Sequence, residues 1–230
     1  MSRRTGHDAP LLERDHELER IQDRLHQAAE GRGGALVVEG PAGIGKTTLL
    51  AAARGAAEDG GFRVLRGRGA ELEREFAFGA VRQLFEPLLG QASTAERASL
   101  LDGPAGLAAR LLRLPGARTP TDDAAPDAPD PSFAVLHGLY WLCANLEAHG
   151  PVALTLDDAH WADAPSLRFL AFLLPRLEEL HIAMLLAARP AETGEAGRLL
   201  AALTMDPASE TVRLGPLTDA GVAALVTAGL

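Results

Sequence analysis

A chain of 230 residues, 47% of them hydrophobic, has enough apolar material for the core of one α/β domain, which excludes a largely disordered protein. Its net charge of −9 argues against a nucleic-acid-binding face, and its single cysteine, Cys143, excludes an internal disulfide. We expect Cys143 to be a buried structural thiol, because it lies in an apolar helical pattern. No apolar run is long enough for a membrane span and residues 2–4 do not begin a signal peptide, so we expect a cytoplasmic protein that binds no membrane.

The first part of the sequence predicts two strands that are separated and followed by helices. In chain order these elements are a helix over 15–30, a strand over 35–38, a helix over 46–58, a strand over 62–65, and helices over 78–88 and 92–114. The continuous apolar run at 35–38 is typical of a strand that is buried on both faces. We expect the helix over 78–88 to stop near Pro87 or Gly90.

The second part begins with a segment that differs sharply in composition. Residues 115–131 carry five prolines, four aspartates and almost nothing to bury, which predicts a mobile surface loop. The elements after it are a helix over 133–149, a strand over 151–156, a helix over 167–177, a strand over 182–188, a helix over 197–203, a strand over 211–214 and a helix over 218–228. Pro175 is expected to kink or end the helix in which it lies.

The alternation of strands and helices predicts a parallel sheet with helices covering both faces. The last helix, over 218–228, has no following element to pack against. We therefore expect the chain to be part of a longer protein, in which this helix begins a further domain.

A phosphate-binding motif lies between the first strand and the helix that follows it. Residues 40–47 match the pattern G-x-x-x-x-G-K-[ST]. In this pattern the glycines let backbone N–H groups point at the phosphates, the lysine places a charge on them, and the hydroxyl ligates Mg²⁺. We predict that the nucleotide phosphates are bound by Gly40, Pro41, Ala42, Gly43, Ile44, Gly45, Lys46, Thr47 and Thr48. The alternative, an ordinary glycine-rich turn, is disfavoured because a buried strand precedes the motif and a helix follows it.

Two acids follow the third predicted strand, where a second anchor for the metal is needed. We expect Asp157 to hold Mg²⁺ together with Thr47, and Asp158 to be the base that polarises an attacking water. The alternative is a solvated turn or a helix cap. His160 and Trp161 come next, and we expect their main role to be packing.

Arginines occur at two other strand ends. Arg189 ends the fourth strand at the edge where parallel strands bind ligands, so it is a candidate sensor of the γ-phosphate. The predicted catalytic set is therefore Asp158, Lys46 and Arg189. A surface arginine before a loop is the alternative for Arg189. We expect Arg63, Arg66 and Arg68 to form a solvated strand end.

Two absences narrow the class of nucleotide-binding protein. The sequence contains no N-K-x-D string that would read guanine, so ATP or ADP is the expected nucleotide. The acids also lie far downstream of the phosphate-binding loop, unlike the arrangement in compact small-molecule kinases.

Four segments resemble those of one protein family. They are Leu12-Glu13-Arg14-Asp15-x-Glu17-Leu18, which is similar to the (G)RExEL motif of signal-transduction ATPases, and the segments 71–88, 157–167 and 214–218. The last three resemble segments of large ATP-binding regulators of the LuxR type from actinobacteria, whose ATPase module is of the AAA or STAND class. This sequence departs from the N-terminal motif by having Leu12-Glu13 where a glycine is commoner.

The resemblance implies a three-layer P-loop NTPase fold with a parallel sheet of order 5-1-4-3-2 and only the start of a helical lid. It divides the chain into an N-terminal segment and helix (1–34), an NTPase core (35–215, with the loop 115–131) and the beginning of a lid (216–230). It also implies that the nucleotide state controls self-association of the full-length protein, and that DNA is bound by a C-terminal domain outside this segment.

The expected function is that of a switch module which binds Mg-ATP or ADP and hydrolyses ATP slowly. One alternative is an interaction module that depends on nucleotide and scarcely hydrolyses it. The other is an AAA-type remodelling or replication ATPase.

Overall fold

Five parallel strands form the sheet in the computed structural model, which describes residues 11–112, 131–190 and 193–227. The strands are β1 (Gly34–Glu39), β2 (Arg63–Arg68), β3 (Val152–Asp157), β4 (Ile182–Ala188) and β5 (Ser209–Arg213). Their order is β2-β3-β4-β1-β5, and every neighbouring pair is parallel. This is the predicted order 5-1-4-3-2 read from the opposite edge, so the fold prediction is confirmed.

The position of each strand in the sheet follows from its side chains. Strands β3 and β4 are buried along their whole length and β1 along all but its last residue, which suits continuous apolar runs at the centre of a parallel sheet. Strand β2 lies at one edge, where its Arg66 and Arg68 are exposed. Its partner in register for Arg68 is Asp157, the last residue of β3.

Eight helices are described. They are α1 (Asp15–Ala29), α2 (Lys46–Asp59), α3 (Gly79–Gln91), α4 (Thr94–Leu100), α5 (Pro131–Glu147), α6 (Ala164–Leu173), α7 (Gly194–Met205) and α8 (Asp219–Thr227). Alternate residues of the strands face two separate cores. Leu36 and Leu185 pack in the core with α1 and α2, whereas Val37 and Leu186 pack in the larger core with α3 and α5 to α7. The fold therefore has three layers, with helices on both faces of the sheet.

The prediction of one helix over 92–114 was wrong, whereas α3 ends near Gly90, the second of its two expected ends. The region 92–114 is not one helix, because α4 ends at Leu100 and the chain turns at Gly103, whose φ is +60°, into a 3₁₀ segment over Gly103–Ala108. Helix α3 does not stop at Pro87 but continues to Gln91. Pro87 faces solvent while Leu89 is fully buried, so packing of the last turn offsets the hydrogen bond that the proline nitrogen cannot donate.

Other predictions lie closer to the structure. Helix α6 ends at Leu173 and is followed by a 3₁₀ turn over Leu174–Arg176, as the position of Pro175 predicted. The thiol of Cys143 is buried, and burial raises its pKa well above the usual range, which confirms a structural cysteine. The predicted mobile loop over 115–131 lies outside the described residues except for Pro131, where α5 begins.

The last helix is anchored at its beginning, contrary to the expectation that it has no partner. Thr218, the residue before α8, donates hydrogen bonds to the carboxylate of Glu13 from its backbone N–H and from its hydroxyl group. Further along the helix, Val222 and Val226 stay exposed. No helix in the part of the chain that the structure describes is both long and apolar enough to cross a bilayer.

Candidate functional site

The candidate site lies at the carboxyl ends of β1, β3 and β4, where the loops that follow these strands meet. The loop 40–45 connects β1 to α2, and its first residue is tied to the neighbouring strand because the Gly40 N–H donates to the Ala188 carbonyl at 3.3 Å. The acids follow β3 and Arg189 follows β4. Because these three strands are adjacent and parallel, residues from distant parts of the sequence converge at one edge.

The glycines of the phosphate-binding loop have distinct reasons to be glycine. Gly43 and Gly45 have φ values of +76° and +100°, in the left-handed region that disfavours other residues. A Cβ atom on either would meet no atom within 4 Å, so the space beside them is open to a ligand. At Gly40 a Cβ atom would lie 2.8 Å from the Cγ2 of Ile44, so any other residue would require the side chain of Ile44 or the loop to shift.

Lys46, at the first position of α2, is held by its own loop. Its Nζ donates to the carbonyl oxygens of Gly40 at 2.8 Å and Pro41 at 2.7 Å, and its side chain is buried. Burial lowers the pKa of Lys46, the charge of Asp158 opposes this shift and the charge of Arg189 adds to it. The amine is therefore fixed over the loop, and no carboxylate of the described residues is bonded to it.

Eight of the predicted site residues share one cleft of about 350 Å³. It is lined by Ala42, Gly43, Gly45, Lys46, Thr47, Thr48, Arg68, Asp158 and Arg189. The structure thus brings Lys46, Thr47, Thr48, Asp158 and Arg189 together. Pro41 and Ile44 belong to the same loop but do not line this cleft.

Asp157 lies beside this cleft rather than in it. Its side chain is buried, and Oδ1 accepts a hydrogen bond from the N–H of Asp158 at 2.9 Å. It lines a neighbouring cavity of about 280 Å³ together with Thr47, Arg54 and Arg68. Thr47 lines both spaces, so the two residues predicted to hold Mg²⁺ face a common volume.

Arg54 was not singled out from the sequence. Its Nε donates to Oγ1 of Thr155 at 3.0 Å, which places the guanidinium next to Asp157. Burial lowers the pKa of Arg54, and the charge of Asp157 opposes that shift. The only sequence signal was its position two helical turns after Lys46, where α2 faces the sheet.

Asp158 has an unusual backbone and a partner that sequence reasoning missed. Its φ of 47° and ψ of 42° lie in the left-handed region, which turns the chain away from the sheet directly after β3. Both Nε and Nη2 of Arg68 donate to its Oδ2, at 3.2 Å and 3.0 Å. The description of Arg68 as a solvated strand end was therefore incomplete, because the exposed side chain is bonded to the predicted base.

Arg189 contacts His160 and Trp161, which follow Asp158 in the chain. Its backbone N–H donates to Nδ1 of buried His160 at 3.4 Å, and its guanidinium carbon lies 5.8 Å from the centre of the Trp161 ring. Among the residues that the structure describes, the buried Nε of Arg189 has no hydrogen-bond acceptor. A cationic donor in this state is suited to an anion that enters the cleft.

An apolar pocket of about 330 Å³ adjoins the phosphate-binding loop. It is lined by Leu11, Leu12, Arg14, Gly43, Ile44, Gly45, Thr48, Pro216, Leu217, Val222 and Leu225. These residues come from the N-terminal segment, the loop and the region around α8. A flat apolar group attached to a loop-bound phosphate fits such a pocket. This pocket could not be assigned from the sequence, because its walls are more than 160 residues apart along the chain.

Comparisons with known proteins agree with this fold. The family described as AAA ATPase domain matches residues 10–186. No curated protein matches the sequence. Cdc6p of Pyrobaculum aerophilum has 16% identity and a TM-score of 0.58, covering 97% of this chain and 51% of its own.

Two further solved structures extend the comparison. A Walker-type ATPase of Pyrococcus abyssi has 12% identity and a TM-score of 0.56, covering 100% of this chain and 61% of its own. A signal transduction ATPase with numerous domains and a tetratricopeptide repeat sensor, from Pyrococcus horikoshii, has 19% identity, a TM-score of 0.47, and covers 99% of this chain and 27% of its own. The Pyrobaculum aerophilum and Pyrococcus abyssi structures share the fold of this chain, and at these identities the likeness shows the fold alone. The chain spans about half to three fifths of the length of those two proteins.

Proposed function

Because the chain belongs to the AAA ATPase domain family, we propose that it is the switch module of a LuxR-type transcriptional regulator, which binds Mg-ATP or ADP and hydrolyses ATP slowly. The observation that carries the nucleotide part is the cleft over the phosphate-binding loop, in which Lys46, Asp158 and Arg189 face one volume. The regulator part rests on the resemblance of the segments 71–88 and 157–167.

The residues of the cleft fit a magnesium nucleotide. The spaces beside Gly43 and Gly45 are open. Among the described residues, the ammonium of Lys46 is bonded to two neutral carbonyl groups, and the Nε of Arg189 has no acceptor. Three separate groups are thus ready for phosphate oxygens. The adjoining apolar pocket has the size and lining for the adenine base.

Thr47 and Asp157 would hold Mg²⁺, which neutralises charge on the phosphates when it is bound. Lys46 leaves the carbonyls of Gly40 and Pro41 and binds the β- and γ-phosphates. Asp158 accepts a proton from a water while that water oxygen bonds to the γ-phosphorus, and the bridging oxygen leaves with ADP. Arg189 binds the γ-phosphate and distinguishes ATP from ADP.

Slow turnover is part of the proposal because Arg68 holds one oxygen of Asp158. While the two hydrogen bonds from the guanidinium persist, this oxygen is not free to accept a proton from a water. The same contact favours the second candidate, an interaction module that binds ATP with negligible hydrolysis. A remodelling or replication ATPase is the third, and the likeness to Cdc6p adds only a shared fold to it.

The remaining parts of the proposal concern the full-length protein. We propose that residues 1–34, 35–215 and 216–230 are the N-terminal segment, the NTPase core and the start of a lid, and that the protein is cytoplasmic. DNA is bound by a C-terminal domain outside this segment, and the nucleotide state controls self-association.

Calorimetry and a single-turnover assay test the proposal on the 230-residue chain. We expect Mg²⁺-dependent binding of ATP and ADP, and slow release of phosphate from ATP. Binding without any phosphate release would select the interaction module, and no binding would overturn the proposal. For the regulator part, sedimentation of the full-length protein with ATP and with ADP is expected to differ in oligomeric state, and equal sedimentation would contradict it.

A further inference from the structure

Glu13 has a backbone conformation that a residue with a side chain adopts only when something else compensates for it. Its φ is +53°, in the left-handed region where glycine is favoured. The residue follows Leu11 and Leu12, which line the apolar pocket, and precedes helix α1. A glutamate in such a place is explained by the contacts of its side chain.

Those contacts all go to the beginning of α8. One carboxylate oxygen of Glu13 accepts a hydrogen bond from the N–H of Thr218 at 2.8 Å, and the other accepts one from the Thr218 hydroxyl group. The same hydroxyl oxygen accepts a hydrogen bond from the N–H of Gly221 at 3.2 Å, which caps the helix. The two hydrogen bonds lower the pKa of Glu13, so it is ionised at neutral pH beside the positive end of the helix dipole.

Gly221 makes room for this carboxylate. It is buried inside α8, and a Cβ atom on it would lie 2.7 Å from Cδ and Oε1 of Glu13. Glycine is unfavourable within a helix, so its presence here matches the close approach of the acid. Glu13, Thr218 and Gly221 thus form a fitted contact between the N-terminal segment and α8.

Arg14 continues the same connection on the other side of the pocket. Its Nη2 donates to the carbonyl oxygen of Gly215 at 2.7 Å and to that of Ile44 at 3.4 Å. Residues 13 and 14 therefore join the segment before α8 to the phosphate-binding loop. Val222 and Leu225 of α8 form a wall of the apolar pocket only while this helix is held in place.

We propose that Glu13 is a positioning residue for the base of the bound nucleotide, because it holds α8 as the outer wall of the apolar pocket. This inference rests on the proposed function, which makes a nucleotide the ligand. Among the described residues, the carboxylate of Glu13 accepts hydrogen bonds from Thr218, and Glu13 does not line the cleft that contains Lys46. It therefore acts on the affinity for the base and not on the affinity for phosphate.

The test compares calorimetric affinities for Mg-ADP, Mg-ATP and magnesium tripolyphosphate in the parent chain and in Glu13→Gly. Glycine removes the contacts to Thr218 but adopts this positive φ without steric strain. Because the two effects oppose each other, we expect an unchanged midpoint of urea unfolding. The affinities for ADP and ATP are expected to fall about ten-fold, the scale of hydrogen bonds to a charged group. The affinity for tripolyphosphate, which has no base, is expected to stay the same.

Two further variants keep the test decisive if Glu13→Gly folds poorly. Thr218→Val removes the hydroxyl group from the contact and is expected to weaken ADP binding in the parent, but to have little further effect in the Glu13→Gly background. Glu30→Gln changes an exposed acid at the far end of α1 that pairs with Arg32, and it is expected to change nothing.

The outcomes separate this inference from the proposed function. Equal ADP affinities in the parent, Glu13→Gly and Thr218→Val would overturn the inference alone. An equal loss of ADP and tripolyphosphate affinity would also overturn it, because the effect would then be general. Absence of ATP binding by the parent would overturn the proposed function and with it the inference.

Discussion

Arg68 donates two hydrogen bonds to a single oxygen of Asp158, from Nε at 3.2 Å and from Nη2 at 3.0 Å. The two residues are 90 positions apart in sequence and meet because β2 and β3 are neighbouring parallel strands that end at the same level. The arginine is largely exposed and the aspartate is not, with side-chain exposures of 68% and 21%. The predicted base, Asp158, is therefore held by an arginine whose side chain can move into solvent.

We expect Arg68→Gln to raise the single-turnover rate of ATP hydrolysis. Exposed ion pairs contribute up to about 1 kcal/mol, so release of Asp158 corresponds to an increase of about two- to five-fold. Arg63→Gln is the matched control, since Arg63 is on the same strand and pairs with Glu96 at 3.6 Å, away from the cleft. A lower rate in Arg68→Gln than in Arg63→Gln would show that Arg68 assists catalysis.

Lys46→Ala is expected to lower ATP affinity by about 10- to 100-fold, the range for loss of hydrogen bonds to a charged group. The fold is expected to persist, because the hydrogen bonds of the amine in the described part of the chain go to carbonyls of its own loop. Lys46 is the only lysine in the sequence. Acylation by an amine-directed reagent, measured by peptide mass spectrometry, therefore reports on the accessibility of this side-chain amine and of no other.

The same reagent gives a second measurement on the unaltered chain. Because burial lowers the pKa of Lys46, its neutral form is available at lower pH than for an ordinary lysine. ATP is expected to protect Lys46 from acylation, while the α-amino group of Met1 serves as an internal control. Equal acylation with and without saturating ATP would contradict the placement of Lys46 on the phosphates.

Asp157 and Asp158 are expected to have separable roles. Asp157→Ala should weaken ATP binding in the presence of Mg²⁺ and leave binding in EDTA unchanged, since this acid faces the cavity shared with Thr47. Asp158→Asn should keep binding and lose hydrolysis, because an amide cannot accept the proton. Hydrolysis by Asp158→Asn at the parent rate would exclude Asp158 as the base.

Asp163 is predicted to be the main support of the loops around the site. Its buried carboxylate accepts hydrogen bonds from the N–H groups of Phe78, Ala80 and Ser166 and from the hydroxyl group of Ser166, at 2.7–3.1 Å. It thereby caps α6 and fixes the start of α3, where Phe78 has a φ of +60°.

We expect Asp163→Ala to lower the free energy of unfolding by about 3 kcal/mol, measured by urea denaturation. Ser93→Ala is the matched control, because Ser93 caps α4 through one exposed hydrogen bond from Glu96 at 3.2 Å. That variant should cost about 1 kcal/mol or less. Similar losses in the two variants would refute the special role of Asp163.

The chain is expected not to bind duplex DNA. Its net charge of −9 opposes a polyanion, and counterion release needs clustered cations that face the phosphates. Several arginines at the site are already paired with acids, Arg66 with Glu58 among them. A gel-shift assay at low salt tests this, and salt-sensitive micromolar binding would favour the replication-type alternative.

The sequence by itself determined the strands and their parallel arrangement, and it predicts the chemistry of the phosphate-binding loop. Continuous apolar runs such as 35–38 and 182–188 are local signals, and the spacing of Gly40, Gly45 and Lys46 is fixed by the loop that they form. The resemblance to known ATPases added the strand order, which the structure confirms. The role of each site residue stays a prediction for the experiments above.

Only the tertiary structure decided which side chains meet across long stretches of sequence. Arg68 lies in a sequence that is typical of a solvated strand end, and no local feature of that sequence indicates that it is the partner of Asp158. Glu13 and Thr218 are 205 residues apart, and they meet because β5 lies beside β1 and returns the chain to the phosphate-binding loop. Hydrophobic periodicity reports which face of an element is buried, whereas hydrogen bonds between exposed polar groups depend on positions that the whole sheet sets.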